Sequence, residues 1–466
     1  MKQIAIIGGG ISGLSAAYYL EKARRDGADL QWTLLEKSGR FGGVLRTEHY
    51  QGHVMEAGAD SFLTAKPEAS KLCRELGIAD QMIPSNDSDR KTYIVVNGRL
   101  VPIPDGLQFM VPTRIWPLAT TPLFSFGTKL RMMREWFTVA GSQAEDESVA
   151  SFVRRHFGQE MVDRVAEPML AGVFGGNAEK LSVRATLARF VEMERSHGSL
   201  AKATLKARQS APTPSSQQPL FTSLKNGMQQ LIDALVAALP ASSLRTNQEV
   251  CLRRVGNEWR VNGAKFDHVL IAVPAPVVAA LLTDISPEIS TRLQTISYTS
   301  SAAVALGYTK IALPPGHGFL VPGSEKRKLL ACTFVHRKFS FRAPEGRSLL
   351  RCFFSNSRMA DVMERSDDDL QMLARQELKD ILGLDAQPDF THTFRWGRAL
   401  AQYEVGHLER AAEIESYAAK IPGLHLAGNS LYGVGIPDCV KSAKLAAEKV
   451  VAATAKNVEM GVAPLL

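Results

Sequence analysis

Cysteines are few and form no framework. Cys73, Cys251, Cys332, Cys352 and Cys439 are scattered over 466 residues without a Cys-x-x-Cys, which argues against a disulfide scaffold and for a reduced compartment. The ten histidines include no His-Glu-x-x-His, so no metal site is expected. Polybasic runs with interleaved aromatics are also missing, so the formal charge of +8 predicts no nucleic-acid partner. It suits an anionic ligand or an anionic membrane surface. The start has no basic segment followed by an apolar one, because Gln3 to Ile7 leads directly into glycines, and no export signal is expected. A spanning helix is excluded as well. The most hydrophobic stretch, 107 to 126, carries Pro112, Pro117, Pro122 and Arg114, which a regular membrane helix does not tolerate. Its large apolar residues are expected at a substrate mouth, at a peripheral membrane contact or in a buried loop.

What is present is a dinucleotide signature. The apolar run Gln3 to Ile7 precedes Gly8, Gly9, Gly10, Ile11, Ser12 and Gly13, and a helix is predicted from Leu14 to Arg24. The first glycines clear space for a sharp turn and for a pyrophosphate, and Gly13 allows close packing of helix on strand. The helix N-terminus supplies free N–H donors and the positive end of its dipole. Glu36 follows the next apolar strand, 23 residues after Gly13, where a carboxylate accepts both hydroxyl protons of an adenosine ribose. A 2′-phosphate is thereby disfavoured.

Other nucleotide-binding pieces are dispersed. Gly58, Ala59, Asp60 and Ser61 form a second small-residue cluster that lets backbone approach a flat ring. Glu249-Val250 and Val269 to Pro274 are read as a strand pair, and Leu424 to Asn429 as a strand ending in a tight turn. With 45% hydrophobic residues the chain can build two or three domains. The predicted architecture is an α/β fold: a Rossmann-type domain from 1–64, 220–297 and 394–466, a mainly helical insertion at 65–219, and a mixed substrate sheet at 298–393. Within the insertion, Glu147 to Phe157, Gln159 to Glu167 and a long basic helix from Ser182 to Lys206 are expected. Residues 209 to 219, with three prolines and no large apolar side chain, are read as a loop or linker.

Four further segments carry a resemblance. Arg40-x-Gly42-Gly43 resembles the extension found in FAD-dependent amine and porphyrinogen oxidases. Residues Pro168 to Asn177, containing Gly-Val-Phe-Gly-Gly-Asn, are similar to a porphyrinogen oxidase segment, as is Gly318 to Pro322. Gly428 to Cys439, with Gly-Val-Gly-Ile-Pro-Asp-Cys, resembles the carboxyl-terminal flavin motif of the bacterial porphyrinogen oxidases. The resemblance implies FAD as cofactor and a porphyrinogen as substrate. It implies three two-electron oxidations to the porphyrin, with O2 as acceptor and H2O2 as product, in heme biosynthesis. Coproporphyrinogen III is favoured over protoporphyrinogen IX. An amine oxidase, a carotenoid desaturase and a non-catalytic porphyrin-binding flavoprotein are the alternatives.

By the same resemblance, Gly8 to Gly13, Glu36, Lys37, Arg40, Gly43, Gly58 to Ser61, Val250, Trp396, Gly428, Val434, Gly435 and Ile436 contact FAD. Gly172, Phe174 and Leu320 border the substrate. Arg46 pairs with a propionate or the flavin, or is a solvated strand arginine. No catalytic acid or base is singled out, because aromatisation of the macrocycle supplies the driving force. A cytoplasmic protein is expected, with a peripheral membrane contact and a homodimer left open.

Overall fold

The computed structural model describes residues 1–108, 110–139, 145–209 and 218–459. Most of the expected 209–219 linker therefore lies outside the described residues. One layer is a five-stranded parallel sheet, ordered Leu244–Arg245, Leu30–Leu35, Lys2–Ile7, His268–Ile271 and Leu424–Leu426. Its strands come from three distant stretches of sequence. They are apolar on both faces because helices cover both. Ile4 and Ile6 pack under the helices Ile11–Arg25 and Ile436–Glu459, whereas Ala5 and Ile7 join Val278, Leu293 and Ile414 on the opposite side.

Two sequence expectations are corrected here. Glu249-Val250 forms no strand: Leu244–Arg245 pairs with Leu30–Leu35 instead, and His268–Ile271 lies between Lys2–Ile7 and Leu424–Leu426. The long helix from Ser182 to Lys206 is three helices, Val183–Thr186, Ala188–His197 and Leu200–Gln209. The chain breaks at Leu187 and again at Gly198, where φ is +71°. A buried carboxylate fixes the second break, because Glu135 accepts from Ser199 Oγ at 2.9 Å and from the Leu200 N–H. That local contact outweighs the helical propensity of the flanking residues.

The second sheet has seven strands, ordered Phe390–Ala401, Tyr298–Thr309, Arg347–Ser355, Ala331–Phe334, Gly318–Leu320, Thr92–Val96 and Arg99–Pro102. It therefore takes two strands from within 65–219, a region expected to be mainly helical. Alternation along each strand gives its two faces different tasks. Ala302, Val304, Leu306, Leu350, Cys352 and Phe354 pack under the helix Asp367–Leu382 through Leu370, Ala374 and Leu378. The other face presents Ala305, Leu349, Arg351 and Phe353 toward the nucleotide-binding part and the helical insertion. His49 and His53, four residues apart, sit on the two arms of the hairpin Thr47–Tyr50 and His53–Glu56 and do not share a helix face.

Candidate functional site

The glycine loop is closed by backbone on backbone. A Cβ at Gly13 would lie 1.8 Å from the Gly8 carbonyl oxygen, and Gly8 itself has a φ of +106°. At Gly9 a Cβ would come within 2.6 Å of Phe41. Gly10 differs: it stands at the N-terminus of Ile11–Arg25, its Cβ direction is open, no side chain caps the helix, and the first turn holds no acid. The free N–H groups and the clear space are what an anionic pyrophosphate needs. Ile11 and Ser12 are buried behind them.

Glu36 sits at the edge of the same loop. One carboxylate oxygen accepts the Gly9 N–H at 2.6 Å and the other accepts from Ser38 N–H and Oγ at 2.8 and 2.7 Å. The exposed Lys37 pairs with Glu249 at 2.6 Å, next to the half-buried Val250. These residues fit the adenosine end of a dinucleotide.

From there the backbone forms a continuous stack toward the second sheet. The Gly42 N–H donates to the Gly9 carbonyl at 2.8 Å, and a Cβ at Gly43 would be 3.4 Å from Gly10. Arg40 folds its guanidinium onto this turn, donating to the carbonyls of Phe41, Gly43 and Leu45. Gly58 then packs under Val44, whose carbonyl oxygen would lie 2.0 Å from an added Cβ. The Ala57 carbonyl accepts the Trp396 indole N–H at 2.7 Å, and Ala59 is exposed beyond it. Asp60 accepts from Ser61 Oγ at 2.6 Å and pairs with Lys338 at 3.0 Å. Burial opposes its charge, but Lys338 and Arg351 outweigh that and hold the carboxyl well below the usual range.

The carboxyl-terminal motif closes the other side. Gly428 has a φ of +123° and lies 4.0 Å from Ser12 Oγ in the direction of a Cβ. Val434 and Gly435 are half-buried, Ile436 is buried, and the helix Ile436–Glu459 begins there. Asp438 folds back over Gly433 and is held by Lys66 at 2.7 Å. The structure thus links the glycine loop, the Gly42–Gly43 turn, the Ala57–Ser61 loop and Trp396 through successive contacts.

The expected substrate residues divide. Gly172 is exposed on the helix Glu167–Phe174, and a Cβ added there would meet the half-buried Leu320 side chain at 3.8 Å, an ordinary contact. Beside them a small apolar cluster joins Ala171, Leu330, Ala331 and Phe353. Phe174 is buried in the core of the helical insertion, a cluster against which Leu320 also packs, 6.5 Å from the Tyr403 ring. Its carbonyl accepts from Gln402 Nε2 at 2.7 Å, so the residue anchors the turn. Arg46, just before the strand Thr47–Tyr50, pairs with Glu48 on it, the solvated alternative. Sequence reading missed Phe353 and Arg351. Period-two alternation in Arg347–Ser355 would have paired them, but not told which face meets a ligand.

A family model described as flavin containing amine oxidoreductase matches residues 11–451. The chain belongs to that family. FAD is its cofactor, and the donors and clearances above fit it. Coproporphyrinogen III oxidase of Bacillus subtilis is 33% identical over 96% of this chain and 97% of its own length. The enzyme of the same name from Mycobacterium bovis is 34% identical over 97% and 98%. A solved structure from Exiguobacterium sp. 255-15 is 31% identical and superposes with a TM-score of 0.85 over 97% of this chain and 99% of its own. A putrescine oxidase bound to putrescine shares the fold at 17% identity, with a TM-score of 0.66 over 97% of this chain and 99% of that one.

Proposed function

We propose that this flavoenzyme oxidises coproporphyrinogen III to coproporphyrin III, consuming three O2 and releasing three H2O2 per macrocycle. The observation that carries the reading is the small apolar cluster of Ala171, Leu330, Ala331, Leu320 and Phe353 beside the exposed Gly172, joined to the Ala57–Gly58 loop through Arg351. Its small, apolar lining suits a broad, flat ring better than a short charged amine. Full-length kinship with several coproporphyrinogen III oxidases supports the same choice. Bound FAD supplies hydride acceptance and reoxidation by O2. The chain's own task is to hold a meso C–H against the cofactor and keep water out. Gly172, Leu320, Ala331 and Phe353 offer no acid or base, in keeping with a substrate whose aromatisation drives each step.

Porphyrin fluorescence and O2 uptake, measured with coproporphyrinogen III and protoporphyrinogen IX separately, test the reading. Faster coproporphyrin formation with three O2 per ring is expected. Faster turnover of protoporphyrinogen IX would reassign the substrate, a reading that the 28% identical Arabidopsis thaliana protoporphyrinogen oxidase 2 keeps in view. Peroxide from simple amines would sink both. Anaerobic porphyrinogen that leaves the flavin colour unchanged would leave only a carrier.

The reading includes a peripheral contact with an anionic membrane. Among the described residues no helix is long and apolar enough to cross a membrane. Of the 107–126 stretch, Met110, Leu118, Leu123 and Phe124 are buried, which supports the loop alternative for them. Trp116 and Phe126, by contrast, are 81% and 82% exposed. Phe126, Leu130, Met133 and Phe137 follow at i, i+4, i+7 and i+11, all exposed, along and just beyond the helix Phe126–Glu135. Exposed Arg114, Arg131 and Arg134 accompany this stripe, a combination suited to an anionic interface. Co-sedimentation with phosphatidylglycerol vesicles but not phosphatidylcholine vesicles is expected, and F126E/F137E should abolish it. Equal recovery in the supernatant with both vesicle types would remove the membrane from the account.

A further inference from the structure

Arg351 is a buried cation that the porphyrinogen reading leaves unused. It lies in the middle of Arg347–Ser355, 7% exposed, on the sheet face turned toward the cofactor groove. Its Nη2 donates to the carbonyls of Ala57 at 3.0 Å and Gly58 at 2.7 Å. Ala57 O also receives the Trp396 N–H, so one peptide is gripped twice from the substrate sheet. The guanidinium carbon stands 4.7 Å from the Phe353 ring centroid, which fixes its plane. Nε is buried with no hydrogen-bond partner, a costly arrangement for a donor sealed from water.

Neighbouring charges do not neutralise it. Asp60 is paired with Lys338 at 3.0 Å, and Glu56 is met by Arg342 at 3.7 Å and by the Met228 N–H at 2.8 Å. Among the described residues Arg351 makes no ion pair within 4.0 Å. Two carboxylates thus face three cations in this buried cluster, and Arg351 is the one in excess. Every carbonyl it holds belongs to the loop that stacks through Val44 and Gly43 onto the dinucleotide turn at Gly10.

We propose that Arg351 is a positioning residue that locks the Ala57–Gly58 loop against the cofactor and lends it the positive field that favours two-electron reduction. A hydride adds two electrons and one proton, leaving one added negative charge on the acceptor. In a low-dielectric site a fixed cation nearby favours that charge without reorganisation. The inference rests on FAD occupying the groove but not on which substrate donates the hydride. Its test is therefore separable from the porphyrinogen reading.

The test uses the full chain. Arg351→Met removes the charge and both carbonyl contacts, and Arg351→Lys keeps the charge and loses the planar fork. FAD affinity, followed by quenching of flavin fluorescence, should fall about tenfold in both variants, the order of one lost charge-assisted hydrogen bond. Dye-equilibrated reductive titration should give a lower midpoint potential for Arg351→Met and a wild-type potential for Arg351→Lys. Unchanged affinity and potential in Arg351→Met would overturn the proposal, as would an equal fall in potential in both variants. If Arg351→Met fails to fold, Arg351→Lys decides: weaker FAD with wild-type potential supports the role, and unaltered affinity overturns it. Holoenzyme that shows these shifts yet yields no porphyrin would remove the porphyrinogen reading and leave Arg351 in place.

Discussion

The two sides of the candidate groove are built from different material. On the nucleotide side the shape is made by main chain: Gly8, Gly13, Gly43 and Gly58 bring backbone to within contact of backbone, and the ligand-facing groups are N–H donors and one carboxylate. Opposite, the apolar wall is made by side chains from three distant segments, Ala171 of a helix, Leu320 of a short strand and Phe353 of a long one, beside the bare Cα of Gly172. A backbone site tolerates almost no added atom, whereas a side-chain site tolerates exchange of comparable volumes. The first should fail abruptly on substitution and the second gradually.

The sharpest contrast comes from Gly13→Ala. Its new methyl would overlap the Gly8 carbonyl at 1.8 Å, and the strand-to-helix turn must open to admit it. The variant should purify without yellow colour or bind FAD at least about 100-fold more weakly, read by absorbance and fluorescence titration. Normal flavin content would show that this turn does not shape the site. Next in size is Phe174→Ala, assigned to packing and not to substrate. A cavity in the helical core should cost about 3 kcal/mol of stability, seen as an earlier unfolding transition, while KM of the folded fraction stays near wild type. A raised KM at unchanged stability would return Phe174 to the cleft.

Smaller effects refine the same division. Glu36→Gln keeps the shape but removes the charge that accepts from Gly9 and Ser38. Charge-assisted hydrogen bonds of this kind predict about tenfold weaker FAD binding, with little change in kcat once the site is loaded. On the opposite side, Gly172→Val places two methyls beyond a Cβ that would already touch Leu320 at 3.8 Å. It should lower kcat/KM by about tenfold with FAD affinity intact. Exchange of these two phenotypes would invert the assignment of the groove's walls.

That division also accounts for what the sequence disclosed. The loop from Gly8 to Gly13, the strand before it and Glu36 after it act through local spacing, so a linear reading places them. Trp396 was placed by resemblance alone, because its partner, the Ala57 carbonyl, is 339 residues away. Arg351 and Phe353 stayed hidden for the same reason. On a strand covered by a helix on one face and a ligand cleft on the other, alternation separates the faces without naming them. The break at Gly198 was missed because the carboxylate that stabilises it belongs to Glu135, 65 residues before Leu200.

The least costly way to sharpen the comparison is pH, because buried histidines in the two regions titrate in opposite senses. In the helical insertion, His156 lies between Glu135 at 3.3 Å and Glu194 at 3.2 Å, with Arg155 3.4 Å away. Burial disfavours its charge, but the two carboxylates outweigh that and raise its pKa above 6.5. Its contribution is therefore complete below pH 6.5 and lost as pH rises through the raised folded value. In the parallel sheet, His268 and His425 touch at 3.2 Å, and burial lowers both, His425 to about 4. Their neutral forms stabilise the sheet above pH 6.5, and that contribution is lost as pH falls from 6.5 toward 4. Hydrogen-exchange protection, corrected for intrinsic rates, should therefore fall in Ala188–His197 and Leu200–Gln209 on going from neutral to alkaline pH. It should fall in His268–Ile271 and Leu424–Leu426 on going from neutral to acid pH. His156→Gln should flatten the alkaline arm and leave the acid arm intact. Loss of both arms in that variant would mean that the two regions unfold as one cooperative unit.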